Sequence, residues 1–168
     1  KAKDSLQLSE VRAQIDGLVR QIQDLITQRA TWAQKVRAAK GELKAAVEYY
    51  RPERESQILR RVLDRNQGPL SNEVLLRLFR EIMSACLAQQ EPLKVGFLGP
   101  EGTFSQQALY KHFGHSAQTL AVASIEEVFQ EIESGNADFG VVPVENSGQG
   151  TIQSTLDMFL TSKLKICG

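Results

Sequence analysis

The chain has 168 residues, room for one large or two small domains, and its 42% hydrophobic and 24% charged content is ordinary for a globular protein. No apolar run approaches the ~20 residues needed to cross a bilayer, so no membrane span is expected. Formal net charge is zero, yet residues 1–90 hold 16 Lys/Arg against 11 Asp/Glu while residues 91–168 hold 4 against 9. The cationic half can draw a small anion or nucleic acid, or it can be a solvated helix surface. The chain opens on Lys1 rather than methionine, which points to trimming and leaves a lost leader open. Lys1-Ala2-Lys3-Asp4 has no apolar stretch behind it, so no signal peptide is expected.

Residues 5–90 read as helical. Leu8, Val11, Ile15, Leu18, Ile22 and Leu25 recur at alternating three- and four-residue steps, a coiled-coil-like seam. The spacing predicts a first helix over 7–41, roughly 50 Å long at ~1.5 Å per residue. Pro52 suits the first turn of a second helix reaching Asn66, and Gly68-Pro69 marks a turn. Ser71 is placed to cap a third helix whose apolar side carries Val74, Leu75, Leu78, Phe79, Ile82, Met83 and Cys86. One long helix and two shorter ones cannot cover each other, so an intertwined dimer is expected. A monomeric three-helix hairpin is the duller alternative.

Gln89-Gln90-Glu91-Pro92 reads as a linker, which divides the chain into a helical domain (1–90), a linker (91–93) and a second domain (94–168). The pattern then alternates: strand at Val95–Leu98, helix at Ser105–Phe113, strand at Thr119–Ala123, helix at Ser124–Ser134. Strand follows at Phe139–Val144, helix at Thr151–Leu160 and strand at Leu164–Cys167. That order predicts an α/β domain with largely parallel strands. Because the chain stops at Gly168 directly after a predicted strand, this domain is expected to be a fragment.

Two cations interrupt the first seam. Beyond Leu25 it continues through Arg29, Ala33, Val36 and Lys40, so Arg29 and Lys40 stand where core residues belong. Eleven residues is about three turns, which puts both on one face ~16 Å apart, and leaning inward they can hold a small ligand between them. Buried without a partner they cost several kcal/mol. Glu55 or a bound dianion can offset that, or both cations can snorkel to water. Arg12 lies beside the same seam, ~25 Å from Arg29, beyond reach of one small ligand within one chain but within reach in an antiparallel or swapped dimer.

The residues Val11–Asp16, Gln28-Arg29, Lys35–Lys40 and Arg51–Glu55 resemble the all-helical chorismate mutases, and the similarity covers residues 5–90. The resemblance implies a dimer of long helices in which Arg12 crosses to the partner's site and grips one carboxylate of chorismate, while Arg29 grips the other. Lys40 and Gln90 would donate to the ether oxygen of the breaking bond. Glu55 and the backbone amide of Arg51 would hold the ring hydroxyl, and Arg54 would support the site. Cys86 falls where relatives often carry serine, a better donor than a thiol. Position 51 is often acidic in relatives, but a backbone contact survives arginine there. Relatives with glutamate at position 90 need it protonated, whereas Gln90 donates at any pH.

Two further loops, Gly99-Pro100-Glu101-Gly102-Thr103-Phe104-Ser105 and Pro143–Thr151, each follow a strand and precede a helix, a setting that favours anions. As bare patterns they are capped tight turns. Neither is a Walker loop or a dinucleotide fingerprint. Together they resemble the front lobe of prephenate dehydratases, a two-lobed fold like periplasmic binding proteins, with Thr103, Ser105, Asn146, Ser147 and Thr151 lining the cleft. That family's Thr-Arg-Phe segment and its regulatory ACT domain are absent from this sequence, so no dehydratase activity is expected of the chain alone. The two halves in this order resemble the bifunctional mutase–dehydratases of phenylalanine biosynthesis (the P-proteins), which implies chorismate and prephenate as ligands.

Neither a nucleophile–base pair nor a cofactor fingerprint stands out, and no metal or cofactor is expected. His112 and His115 sit near a helix end, where dipole or plain surface roles are ordinary. Cys86 and Cys167 lack metal-ligand spacing, and a reducing cytoplasm suits them. A small-carboxylate binding module and a helical dimerisation or nucleic-acid-binding protein remain as alternatives. Sparse aromatics and cations set inside the seam disfavour nucleic acid.

Overall fold

The computed structural model describes residues 7–40, 50–148 and 150–168, the side chain of Lys40 excepted. The predicted end of the first helix at Gly41 and the helical reading of 41–49 lie outside the described residues, as do Lys1–Lys3 and Gln149 of the second loop.

Helix α1 spans Leu8–Lys40, and its 33 residues make it about 50 Å long. Helix α2 spans Pro52–Asp64, with Pro52 in the first turn, where its missing N–H costs nothing. Helix α3 spans Asn72–Ala88 and is capped by Ser71, whose hydroxyl accepts from the Val74 amide at 3.3 Å. α2 and α3 bury Leu59, Val62, Met83 and Cys86. Among the described side chains of α1, only Ala33 is buried. Ile15, Leu18, Ile22 and Leu25 are 53–64% exposed, so the predicted seam has no cover among the described residues.

The remainder is an α/β unit. Strand β1 (Lys94–Leu98) is the centre of a three-stranded parallel sheet, flanked by β2 (Gln118–Val122) and β3 (Phe139–Val141) in the order β2-β1-β3. Helix α4 (Phe104–Phe113) and helix α5 (Ile125–Glu133) make the crossovers. Ser124 caps α5 by accepting from the Glu127 amide, while the Glu127 carboxylate reaches back to the Ala123 amide at 2.9 Å. A two-stranded hairpin, β4 (Glu145–Asn146) and β5 (Gly150–Thr151), precedes helix α6 (Gln153–Thr161). Val95, Phe97 and Leu109 are fully buried and form one core with Leu93.

Three predicted boundaries need correction. Strand β3 ends at Val141 rather than Val144 because its ladder with β1 covers only Phe139–Val141, and Pro143 has no N–H to continue it. Thr151 belongs to β5, and helix begins only at Gln153. Leu164–Cys167 is not a strand: it joins no ladder, Ile166 is 71% exposed, and its Leu164 amide bonds the nearby Ser162 hydroxyl instead. No described helix is long and apolar enough to cross a membrane.

Tyr50 ties the two halves together. It stands just ahead of α2 yet is 7% exposed, packed with Leu93, Val95, Phe97 and Leu109 and edge-on to Phe139 at 5.3 Å between ring centroids. Further along the same boundary, Gly114 ends α4 at φ 79°, and a β-carbon there would collide with Ser84 of α3. Beside it, Glu81 of α3 takes the His115 ring nitrogen at 2.7 Å and the His115 amide at 3.1 Å.

Candidate functional site

The best-defined polar cluster forms around Glu55. The start of α2 fixes its backbone, because the Glu55 amide donates to the Arg51 carbonyl at 3.0 Å. Its side chain is 20% exposed and faces Arg80 of α3, whose Nε lies 3.6 Å from Oε1. That separation suits an ion pair but is long for a hydrogen bond, and Arg80 Nε is buried with no closer partner. Burial raises the Glu55 carboxyl above the ordinary carboxylate range, and the cations of Arg80 and then Arg29 only partly pull it back. Arg29, although exposed on α1, therefore acts electrostatically on the same carboxyl that α2 and α3 present.

The other predicted residues divide by position. Arg12 is exposed on α1, well up the helix from Arg29. Arg51 is the exposed residue ahead of α2, and Arg54 is exposed one residue before Glu55. Cys86 is 2% exposed and packed in α3, which favours a packing role for its thiol. Gln90 is half-buried just past α3, its amide bonded to the Leu87 carbonyl at 2.8 Å. The end of α1 is drawn toward this corner by Gln34, which donates to Gln89 at 3.3 Å, and by Arg37, 3.9 Å from Glu91. Lys40 closes α1, and its side chain lies outside the described residues.

Arg80 was not singled out by the sequence. The signal existed: Arg80, Met83, Ser84 and Leu87 share one stripe of α3, of which Met83 and Ser84 are buried. A cation in a buried stripe is the same feature that marked Arg29.

In the α/β unit, the loops after β1 and β3 lie at the same end of the parallel sheet, next to the point where the strand order reverses. Open α/β sheets bind ligands at such places. Thr103 precedes α4 without capping it, and its hydroxyl is buried with no hydrogen-bond partner. Ser105 is half-buried in the first turn of α4. Asn146, Ser147 and Thr151 are exposed, and Asn146 accepts from the Gly148 amide at 2.9 Å, which shapes the hairpin turn. A groove of about 770 Å³ lies elsewhere, between α5, β3 and residues 164–168. Its apolar walls include Val128, Phe129, Phe139 and Phe159, and it contains none of the predicted site residues.

Comparison with known proteins divides the chain at the same place as its architecture. The family model Chorismate mutase type II matches residues 11–91, and the model Prephenate dehydratase matches residues 95–168. Three curated relatives, each called bifunctional chorismate mutase/prephenate dehydratase, align with nearly the whole chain. The protein of Stutzerimonas stutzeri is 52% identical over 96% of this chain, that of Pseudomonas aeruginosa 50% over 98%, and that of Neisseria gonorrhoeae 47% over 94%. The chain spans 45%, 46% and 42% of those relatives' lengths. With a long-helix segment that carries a half-buried carboxylate and a parallel-sheet segment after it, the chain belongs to the chorismate mutase type II family over residues 11–91 and to the prephenate dehydratase family over residues 95–168.

Proposed function

We propose that the helical domain, residues 1–90, rearranges chorismate to prephenate, and that residues 94–168, beyond a linker at 91–93, are the front part of a prephenate dehydratase in a cytoplasmic enzyme of phenylalanine biosynthesis. The observation that carries this reading is Glu55: a half-buried carboxylate on α2, set between Arg80 of α3 and the charge of Arg29 on α1. The matched families and the names of the relatives supply the reaction.

The reaction asks little of a protein except shape and charge. Chorismate rearranges by a concerted pericyclic shift that needs no nucleophile and no proton transfer. The site must hold the reactive diaxial conformer, since freezing it removes an entropic part of the barrier. It must also meet the negative charge that grows on the ether oxygen. Arginine suits the two carboxylates because its guanidinium binds each in a fork. Arg29 takes one and Arg12, from the second subunit of a dimer, takes the other. Lys40 and Gln90 donate to the ether oxygen. Glu55 accepts from the ring hydroxyl, with the Arg51 amide on the same group, and Arg54 supports them. The exposed seam of α1 suits a second copy of the chain, which would cover Ile15, Leu18 and Ile22 and bring Arg12 into range.

In the second part, Thr103, Ser105, Asn146, Ser147 and Thr151 face the prephenate cleft, with the unpartnered Thr103 hydroxyl as the first donor to an incoming carboxylate. The test of the mutase reading is chorismate consumption by the purified chain and by Arg29→Ala. Mixing inactive Arg12→Ala with inactive Arg29→Ala should restore about a quarter of parent activity if each site in a symmetric dimer is shared. Absence of turnover in the parent chain would sink the reading.

A further inference from the structure

We propose that Arg80 is a positioning residue of the mutase site, held in place by the α/β lobe and in turn holding the Glu55 carboxylate. The inference rests on the mutase reading above and adds a residue and a domain to it.

Arg80 faces two ways. Its Nε lies 3.6 Å from Glu55 Oε1, and its Nη1 donates to the Lys111 carbonyl at 2.9 Å. Lys111 is in the last turn of α4, where carbonyls lack helical partners and carry the negative end of the helix dipole. One guanidinium thus spans a mutase carboxylate and the end of a dehydratase helix. A planar guanidinium spans both with N–H groups held in a fixed fork, whereas the compact lysine ammonium has no such preset geometry. The side chain is 26% exposed and Glu55 20%, so water competes weakly with this pair.

The lobe is fixed against α3 by contacts independent of Arg80. Gly114 touches Ser84, and His115 pairs with Glu81. Tyr50, five residues before Glu55, is buried in the lobe's core. Both ends of the Glu55 environment are therefore anchored outside the helical domain: the approach to α2 through Tyr50, and the facing cation through Lys111.

Among the described residues, few charged and titratable groups act on Glu55. Arg80 faces it from α3, Arg29 acts from α1, and the Tyr50 phenol lies ahead of α2. Beyond them, His112 feels Arg80 and Tyr50 feels Cys167. Arg80 is the strongest force keeping Glu55 ionised against burial. If the ionised carboxylate holds the ring hydroxyl, activity falls as pH drops through the Glu55 pKa. Loss of Arg80 moves that fall to higher pH.

The experiment measures chorismate kcat and KM against pH for the 168-residue chain and for Arg80→Gln, Arg80→Lys, Glu55→Gln, the double variant Arg80→Gln/Glu55→Gln, and Glu81→Gln. Arg80→Gln should shift the acidic limb of kcat/KM upward by about one pH unit, the lower end of what an adjacent opposite charge does to a carboxyl. Arg80→Lys, which keeps the charge but loses one of the two contacts, should shift it part of the way. In the Glu55→Gln background the Arg80 substitution should produce no shift. Glu81→Gln, which weakens the same boundary away from Glu55, should leave the limb in place. A limb unmoved in Arg80→Gln, or moved equally by Glu81→Gln, overturns the proposal, as does a shift that persists without Glu55. If Arg80→Gln does not fold, the lysine variant decides: an unmoved limb overturns the inference. A parent chain without turnover refutes the mutase reading itself, an outcome distinct from all of these.

Discussion

The two halves of the molecule solve the burial problem in opposite ways. The α/β part closes its own core: Val95, Phe97, Leu109 and Val128 are at most 1% exposed. Among its described side chains, the long helix α1 buries only Ala33 and leaves Leu8, Ile15, Leu18, Ile22 and Leu25 more than half exposed. The sheet unit fills its core from within the chain, with Tyr50 of the helical half included, while the helical unit leaves its long apolar stripe bare among the described residues. On the proposed reading, a site built on the helical unit depends on association, and a defect in the sheet unit acts first on stability.

Phe97→Ala should sharpen that contrast most. Removing a fully buried phenylalanine costs ~3–5 kcal/mol, so the urea midpoint of the α/β part should fall far more than that of the helical part. Lys40→Ala should do the reverse, cutting kcat for chorismate at least about a hundredfold, as loss of one oriented donor does, with the circular dichroism and urea curve unchanged. Near-normal turnover would remove Lys40 from the site. Ile22→Glu places a charge in the bare seam. Sedimentation should show dissociation and mutase activity should vanish with it, whereas unchanged mass would mean the seam is not an interface. The smallest effect concerns pH. Glu55 has its carboxyl raised by burial, so its ionised form is lost as pH falls through that raised value. Because Gln90 needs no proton to donate, turnover should decline toward acid and show no acid optimum. A rate that climbs only below neutrality would exclude Gln90 as the donor.

Much of this was legible in the residues. Period-3.6 spacing gave α1, and Pro52, Ser71 and Ser124 marked helix starts that the structure places at or beside those positions. Alternation of apolar runs with turns predicted the parallel sheet. What sequence could not supply was pairing. Leu164–Cys167 is as apolar as a strand, but strands exist only where a neighbouring edge takes their hydrogen bonds, and none does here. Glu55 was legible through its motif, whereas Arg80 was passed over because a charge in a helix reads as surface until the opposing element is known. Tyr50 was missed for the same reason: its burial is created by a sheet more than forty residues downstream.

That tyrosine bears on any attempt to cut the molecule in two. An excised piece ending near residue 90 would keep every side chain assigned to chorismate, yet it would expose a naked aromatic ring and strand a guanidinium without its carbonyl. Such a truncate would be prone to clump, and slow because the group that steadies Glu55 has lost its own anchor. A polar replacement at position 50 would be the first repair to engineer into it.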